Sequence, residues 1–173
     1  MFASLDLAAE PQLRLTELIA ALTRNAVNFV VIGGVAAQLH RLPMPATVDL
    51  DITPSRSPEN LTRLAKVFDE IDAALATVGK YGTWFPRHPI SNWAQYDTIH
   101  LVTKFGLLDL VFAPEGSEDG FNELIRESQN LQLGKHVVRV ISVDTWERLK
   151  LATKRDKDIF HLLLLARHRE QRE

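Results

Sequence analysis

The sequence predicts an α+β fold, and three features of its 173 residues carry that prediction. Residues 27–32 are rich in Val, Ile and Phe and end at Gly33-Gly34. They read as a buried strand that turns into a short helix over residues 35–42, with Ala36, Ala37 and Leu39 facing inward. Residues 47–52, Thr-Val-Asp-Leu-Asp-Ile, alternate with period two, so Val48, Leu50 and Ile52 pack on one side while Asp49 and Asp51 share the other. Two apolar stripes at helical spacing frame this unit: Leu13, Leu15, Leu18, Ile19 and Leu22, and after Pro58, Leu61, Leu64, Ala65, Phe68, Ile71 and Leu75. Pro43 and Pro45 stop the first short helix.

The chemistry sits where these elements meet. Glycines after a strand let phosphates approach backbone N–H groups at a helix start, and two carboxylates on one strand face can hold a divalent metal. Unbound, the pair repels, by roughly 0.2–1 kcal/mol when exposed. A third carboxylate is expected for phosphoryl chemistry of this kind, and Asp109 fits. It is the one acid in residues 98–112, two strand-like pieces broken at Gly106, and a lone acid in so apolar a run is expensive to bury unless paired or metal-bound.

Near the C-terminus, Asp144 and Glu147 have the spacing of a capping box, so a helix is expected to start there. Residues 148–157 carry Arg148, Lys150, Lys154, Arg155 and Lys157, and residues 159–165 are expected to continue as a buried helix. Lys150, Lys154 and Lys157 recur at helical spacing and could aim ammonium groups at a triphosphate; a solvated basic face paired to Glu147 and Asp158 is the plainer reading.

Taken in order, residues 31–36, the His40 region, Thr47-x-Asp49-x-Asp51, the Leu108-Asp109-Leu110 strand, and Lys150 with Arg155-x-Lys157-Asp158 resemble the small nucleotidyltransferases of the AbiEii and MenT toxin type. The resemblance spans roughly residues 15–165. It implies a DNA polymerase beta-like nucleotidyltransferase core, a mixed sheet flanked by helices over residues 1–143, with a helical segment at 144–173 packed on it. It further implies transfer of nucleotides from a nucleoside triphosphate to the 3' end of tRNA, by a toxin paired with an antitoxin. Gly33, Gly34, Thr47, Arg155 and Lys157 would bind the nucleotide, Asp49, Asp51 and Asp109 would hold Mg2+, and Lys150 and Asp158 would join the three acids in catalysis. The chain departs from the family pattern at Gly34, where serine is frequent, at Met44-Pro45-Ala46, where an arginine often stands, and at His161, where aspartate is common. Triphosphate binding is therefore expected to lean on Arg41 or the C-terminal cations. Two alternatives keep the fold: adenylylation of a protein partner, and a non-catalytic nucleotide-binding module.

Composition bounds the rest. An apolar fraction of 46% is ample for one core, and a net charge of -2 does not describe a general nucleic-acid binder. The charge is uneven, with eight Lys and Arg against six Asp and Glu after residue 143. The chain has no cysteine, which excludes disulfides, thiolate metal sites and cysteine nucleophiles. No signal-peptide-like or membrane-spanning run is present, so the cytoplasm is expected. Dinucleotide, Walker A and nucleophile-elbow motifs are absent, and the six histidines form no close metal-binding pair. Between Tyr81 and Tyr96, Trp84, Phe85 and Trp93 stand among cations and prolines in a loop that could stack a base, though ordinary packing is the simpler reading.

Overall fold

A computed structural model describes residues 12–77, 80–83 and 95–172. The strand-turn-helix unit forms as its sequence dictates: β1 (Phe29–Val31) is fully buried and gives way to α2 (Gly33–Leu39) after α1 (Leu15–Arg24). α2 starts on the glycines themselves, two residues earlier than expected, and ends well ahead of Pro43. β2 (Asp49–Pro54) then buries Leu50 and Ile52 on the core side. Val48 does not join them; it precedes the strand and is 51% exposed.

α3 (Pro58–Glu70) has Ser57 as N-cap, its hydroxyl accepting from Asn60 N, and proline at N1, where the missing N–H is no loss. Its stripe of Leu61, Leu64 and Phe68 packs with Leu18, Ile19 and Leu22 of α1 into the core. β3 (Ala74–Thr77) and β4 (Lys80–Thr83) follow, then the hairpin of β5 (Thr98–Thr103) and β6 (Gly106–Val111). Gly106 lies at φ +110°, and a Cβ there would meet the Leu13 backbone at 2.8 Å, so the residue that breaks the two strand pieces has to be glycine. α4 (Phe121–Leu124), β7 (Ser128–Leu133), β8 (His136–Ile141), α5 (Val143–Thr153) and α6 (Asp156–Glu170) complete the chain.

The described strands form one mixed sheet of order β4-β3-β5-β6-β2-β1-β8-β7. Two pairings are parallel, β1 with β8 and β2 with β6; the others are antiparallel. The β2–β6 register sets Asp51 directly beside Asp109. Among the described residues no helix is long and apolar enough to cross a membrane.

Four further expectations are corrected. The cap of α5 is Ser142, whose hydroxyl accepts from Thr145 N at 3.1 Å, and Asp144 lies inside the first turn. Ser142 precedes the helix by one residue, so the helix start lies two positions before the one that the Asp144–Glu147 spacing suggests. Lys154 takes left-handed φ 51° and ends α5, so Lys150 and Lys157 stand on different helices. The apolar run of α6 is only partly covered: Leu165 is buried, while Ile159, Phe160 and Leu163 are about half exposed or more, because α6 packs by one edge against α5. Finally, Tyr81 belongs to β4 rather than to a loop; Trp84, Phe85 and Trp93 lie outside the described residues, and Tyr96 is exposed.

One buried amide ties the frame together. Asn60, fully buried, accepts from Asn28 N at 2.7 Å and donates to Asn28 O at 3.0 Å and Ser55 O at 2.8 Å, joining α3 to the ends of β1 and β2. Replacing it by alanine strips that partner from Asn28 N and Ser55 O, at about 1–3 kcal/mol each, while Asn28 O keeps its bond from Ser55 N. A loss of about 2–4 kcal/mol is expected for Asn60→Ala, read as a lower midpoint in chemical denaturation.

Candidate active site

The site begins with glycine. Gly33 lies at φ +64°, and a Cβ there would overlap Asp51 Oδ2, so only glycine allows the turn after β1 to close against that carboxylate. A Cβ on Gly34 would stand 2.7 Å from Cβ and Oγ1 of Thr47. The residue that departs from the serine pattern is thus held to glycine by the threonine packed above it. No side-chain hydrogen bond caps the first backbone N–H groups of α2. Arg41, the sequence-based substitute for a triphosphate-binding arginine, sits past the other end of α2, about 10 Å of helix away.

Asp49, Asp51 and Asp109 converge. Asp49 and Asp51 share a strand face by period two, and the parallel register adds Asp109 from β6. One carboxylate oxygen from each lies within 4.8 Å of the others. All three are half-buried, so water screens their repulsion incompletely. Burial first, then the charges of Asp49 and Asp109, push the Asp51 carboxyl up to about 7, against an opposing pull from Lys150 and Lys157. Burial likewise raises Asp109, partly offset by a hydrogen bond from His100 and by the charge of Lys157. A cluster of hard oxygen donors at this spacing, strained by its own charge, fits a divalent cation of the Mg2+ class.

Thr47, expected at the nucleotide, donates its hydroxyl to Asp49 Oδ1 at 2.6 Å and so orients a carboxylate. His100 Nδ1 lies 2.9 Å from Asp109 Oδ2. No motif marks His100 in the sequence, yet its position carries a signal: two strands turning at residues 104–105 place 100 opposite 109, on one face.

The C-terminal cations resolve into two groups. Asp158, fully buried, accepts from Lys150 Nζ, Thr153 Oγ1 and Arg155 Nε, each at 2.6 Å. Burial alone would raise its carboxyl, but the bonds from Arg155, Lys150 and Thr153 outweigh it and hold the group well below the usual carboxylate range. Asp158 therefore lies outside the three-carboxylate cluster and acts as the clamp on Lys150. Arg155, at the start of α6, has its Nε engaged in the same clamp. Lys150 and Lys157 both act on Asp51 electrostatically, and Lys157 on Asp109 as well. Lys154 is exposed.

Trp146 connects this region to the glycine turn. Almost wholly buried, it donates Nε1–H to Gly33 O at 3.0 Å, with Lys150 Nζ 5.5 Å from the centre of its ring. His161, the other departure from the family pattern, stacks on the same indole at 6.4 Å between ring centres. Burial, then the Lys150 charge, push its imidazole pKa down. Its position is that of a packing partner.

No family model matches the chain, and no curated protein is similar to it in sequence. Solved structures are similar in three dimensions. One is a Thermotoga maritima protein provisionally assigned as a nucleotidyltransferase, with a TM-score of 0.56 and 15% identity over 86% of this chain and 87% of that one. Another is the antibiotic-resistance factor ANT(2'')-Ia, with a TM-score of 0.52 and 15% identity over 89% of this chain and 81% of that one. At such identity the likeness establishes the fold: an α+β mixed sheet of the nucleotidyltransferase kind, as the sequence predicts.

Proposed function

We propose that the protein is a metal-dependent nucleotidyltransferase acting on a nucleoside triphosphate, with the 3' end of tRNA as acceptor, and that it is a toxin neutralised by a separate antitoxin. The observation that carries the transferase reading is the convergence of Asp49, Asp51 and Asp109 beside the Gly33-Gly34 turn. The tRNA acceptor and the toxin role rest on the resemblance of the ordered motifs to AbiEii and MenT proteins.

A divalent cation held by Asp49, Asp51 and Asp109 would supply neutralisation of charge developing at the α-phosphate. The chain does the rest. Gly33 and Gly34 bring backbone N–H groups up to the phosphates, and Lys157 adds a cation facing the acids. Lys150, held by Asp158, keeps a fixed positive field at Asp51 without needing to reorganise. Thr47 orients Asp49. In the transfer step the acceptor oxygen bonds to the α-phosphorus, the bond from that phosphorus to the bridging oxygen of the β-phosphate breaks, and pyrophosphate leaves. Asp109 is assigned to receive the hydroxyl proton.

The acceptor is tested by incubating purified protein with Mg2+ and each α-labelled nucleoside triphosphate in turn, with total tRNA, whole-cell protein or a hydroxyl-bearing antibiotic as acceptor. Label in tRNA, lost in the Asp49→Ala, Asp51→Ala double variant, is the expected result. Label in protein would transfer the reading to the adenylylating alternative. Label in the antibiotic would align the chain with the resistance factor it is similar to in fold.

A further inference from the structure

We infer that His100 is a positioning residue for Asp109: its imidazole N–H fixes one carboxylate oxygen so that the other is presented to the cation. The inference rests on the reading of Asp49, Asp51 and Asp109 as metal ligands.

Three observations carry it. His100 and Asp109 are directly opposed in the β5–β6 hairpin, and Asp109 is directly opposed to Asp51 in the β6–β2 pair, so His100, Asp109 and Asp51 form one row across three strands. A row on one sheet face needs no conformational search for its side chains to meet. Nδ1 and Oδ2 lie 2.9 Å apart, within ion-pair distance, and since a carboxylate can only accept, the imidazole is the side of the pair that carries the proton. The two ends of the contact differ: Asp109 is 16% exposed and His100 is 60% exposed. The imidazole therefore stands at the outer edge of the cluster and contributes little packing, which separates orientation of Asp109 from support of the fold.

The physical need is clear. The last torsion of an aspartate is broad and roughly two-fold, so an unheld carboxylate beside other carboxylates swings to relieve repulsion. Asp49 is held by the Thr47 hydroxyl, and Asp109 by His100. Outer partners of this kind are worth about 10- to 100-fold in metal affinity in metal sites generally.

The test titrates Mn2+ alone, read by its spin-resonance signal, into purified wild type, His100→Ala, His100→Asn and Asp51→Ala. His100→Ala is expected to weaken Mn2+ binding about 10- to 100-fold, and His100→Asn, whose amide N–H reaches the place of Nδ1, to recover most of it. Turnover should follow: the kcat deficit of His100→Ala shrinks as Mg2+ is raised, which a merely structural role would not produce. Mn2+ affinity unchanged in His100→Ala overturns the inference while leaving the metal site intact. An asparagine variant as weak as the alanine variant overturns it too, since the donated hydrogen bond is then not the cause. Equal binding by wild type and Asp51→Ala removes the metal site itself, and the role of His100 with it.

Discussion

Asp51→Asn raises the thermal stability of the metal-free protein while abolishing nucleotidyl transfer. The side chain is pushed up to about 7 from an ordinary value near 3.8 by burial and by Asp49 and Asp109, so at pH 8 the folded state holds an ionised carboxylate under strain. Each pH unit between those two values corresponds to about 1.4 kcal/mol; with water partly screening a half-buried site, the strain is on the order of 3 kcal/mol. The direction in pH follows. A carboxyl with a raised folded pKa favours folding fully below its unfolded value, and that contribution is lost as pH rises through the folded one. The stability gain of the asparagine variant is therefore largest above pH 7 and shrinks toward pH 4. With roughly 2–4 °C per kcal/mol for a chain of this size, a rise of several degrees is expected in calorimetry at pH 8. Adding Mg2+ should stabilise wild type and leave the variant unmoved. A variant that melts below the wild type at pH 8 would mean the three carboxylates do not strain the apo fold.

Asp158→Ala has the opposite sign. It strips a fully buried carboxylate from Lys150, Thr153 and Arg155 and leaves the Lys150 ammonium, itself only 12% exposed, without its counter-charge. Breaking such a pair from one side typically destabilises by about 3–5 kcal/mol, which corresponds to a melting point lower by about 10 °C. Because the folded carboxyl titrates below its unfolded value, its contribution is complete above about pH 5 and fades as pH falls below that, so the gap between wild type and variant closes in acid. Transfer should weaken as well, since Lys150 loses the group that fixes it. Asp158→Asn separates the two effects: it keeps the shape, removes the charge, and is expected to fall between wild type and alanine in melting temperature.

Much of the site is legible in the sequence because its pieces are local. Glycine after an apolar strand, and acids two residues apart in an alternating strand, announce their geometry through backbone periodicity alone. Asp109 stands out as an acid in an apolar run. What brings these pieces together is not local. The Asp51–Asp109 register comes from a parallel pairing of strands far apart in the chain, and the Trp146 bond to Gly33 O spans 113 residues. The clamp on Lys150 is hidden for another reason. Nothing at Lys154 marks a break, neither glycine nor proline, so the cations read as one continuous helical face instead of two helices meeting over a buried aspartate. β7 gives no signal because Ser128–Leu133 is polar and half open to solvent, lacking the apolar alternation that exposes β2. His100 is recoverable by counting across the hairpin.

The most direct test of the account compares two labels in one reaction. Wild-type protein is incubated with tRNA, Mg2+ and the preferred nucleoside triphosphate carrying its label at either the α- or the γ-phosphate, with and without a chelator. The expected result is that α-label enters the tRNA, that γ-label leaves as pyrophosphate, and that chelation or the Asp49→Ala, Asp51→Ala change stops both. Label entering from the γ-position, or α-label transferred undiminished under chelation, would contradict metal-dependent nucleotidyl transfer at these carboxylates.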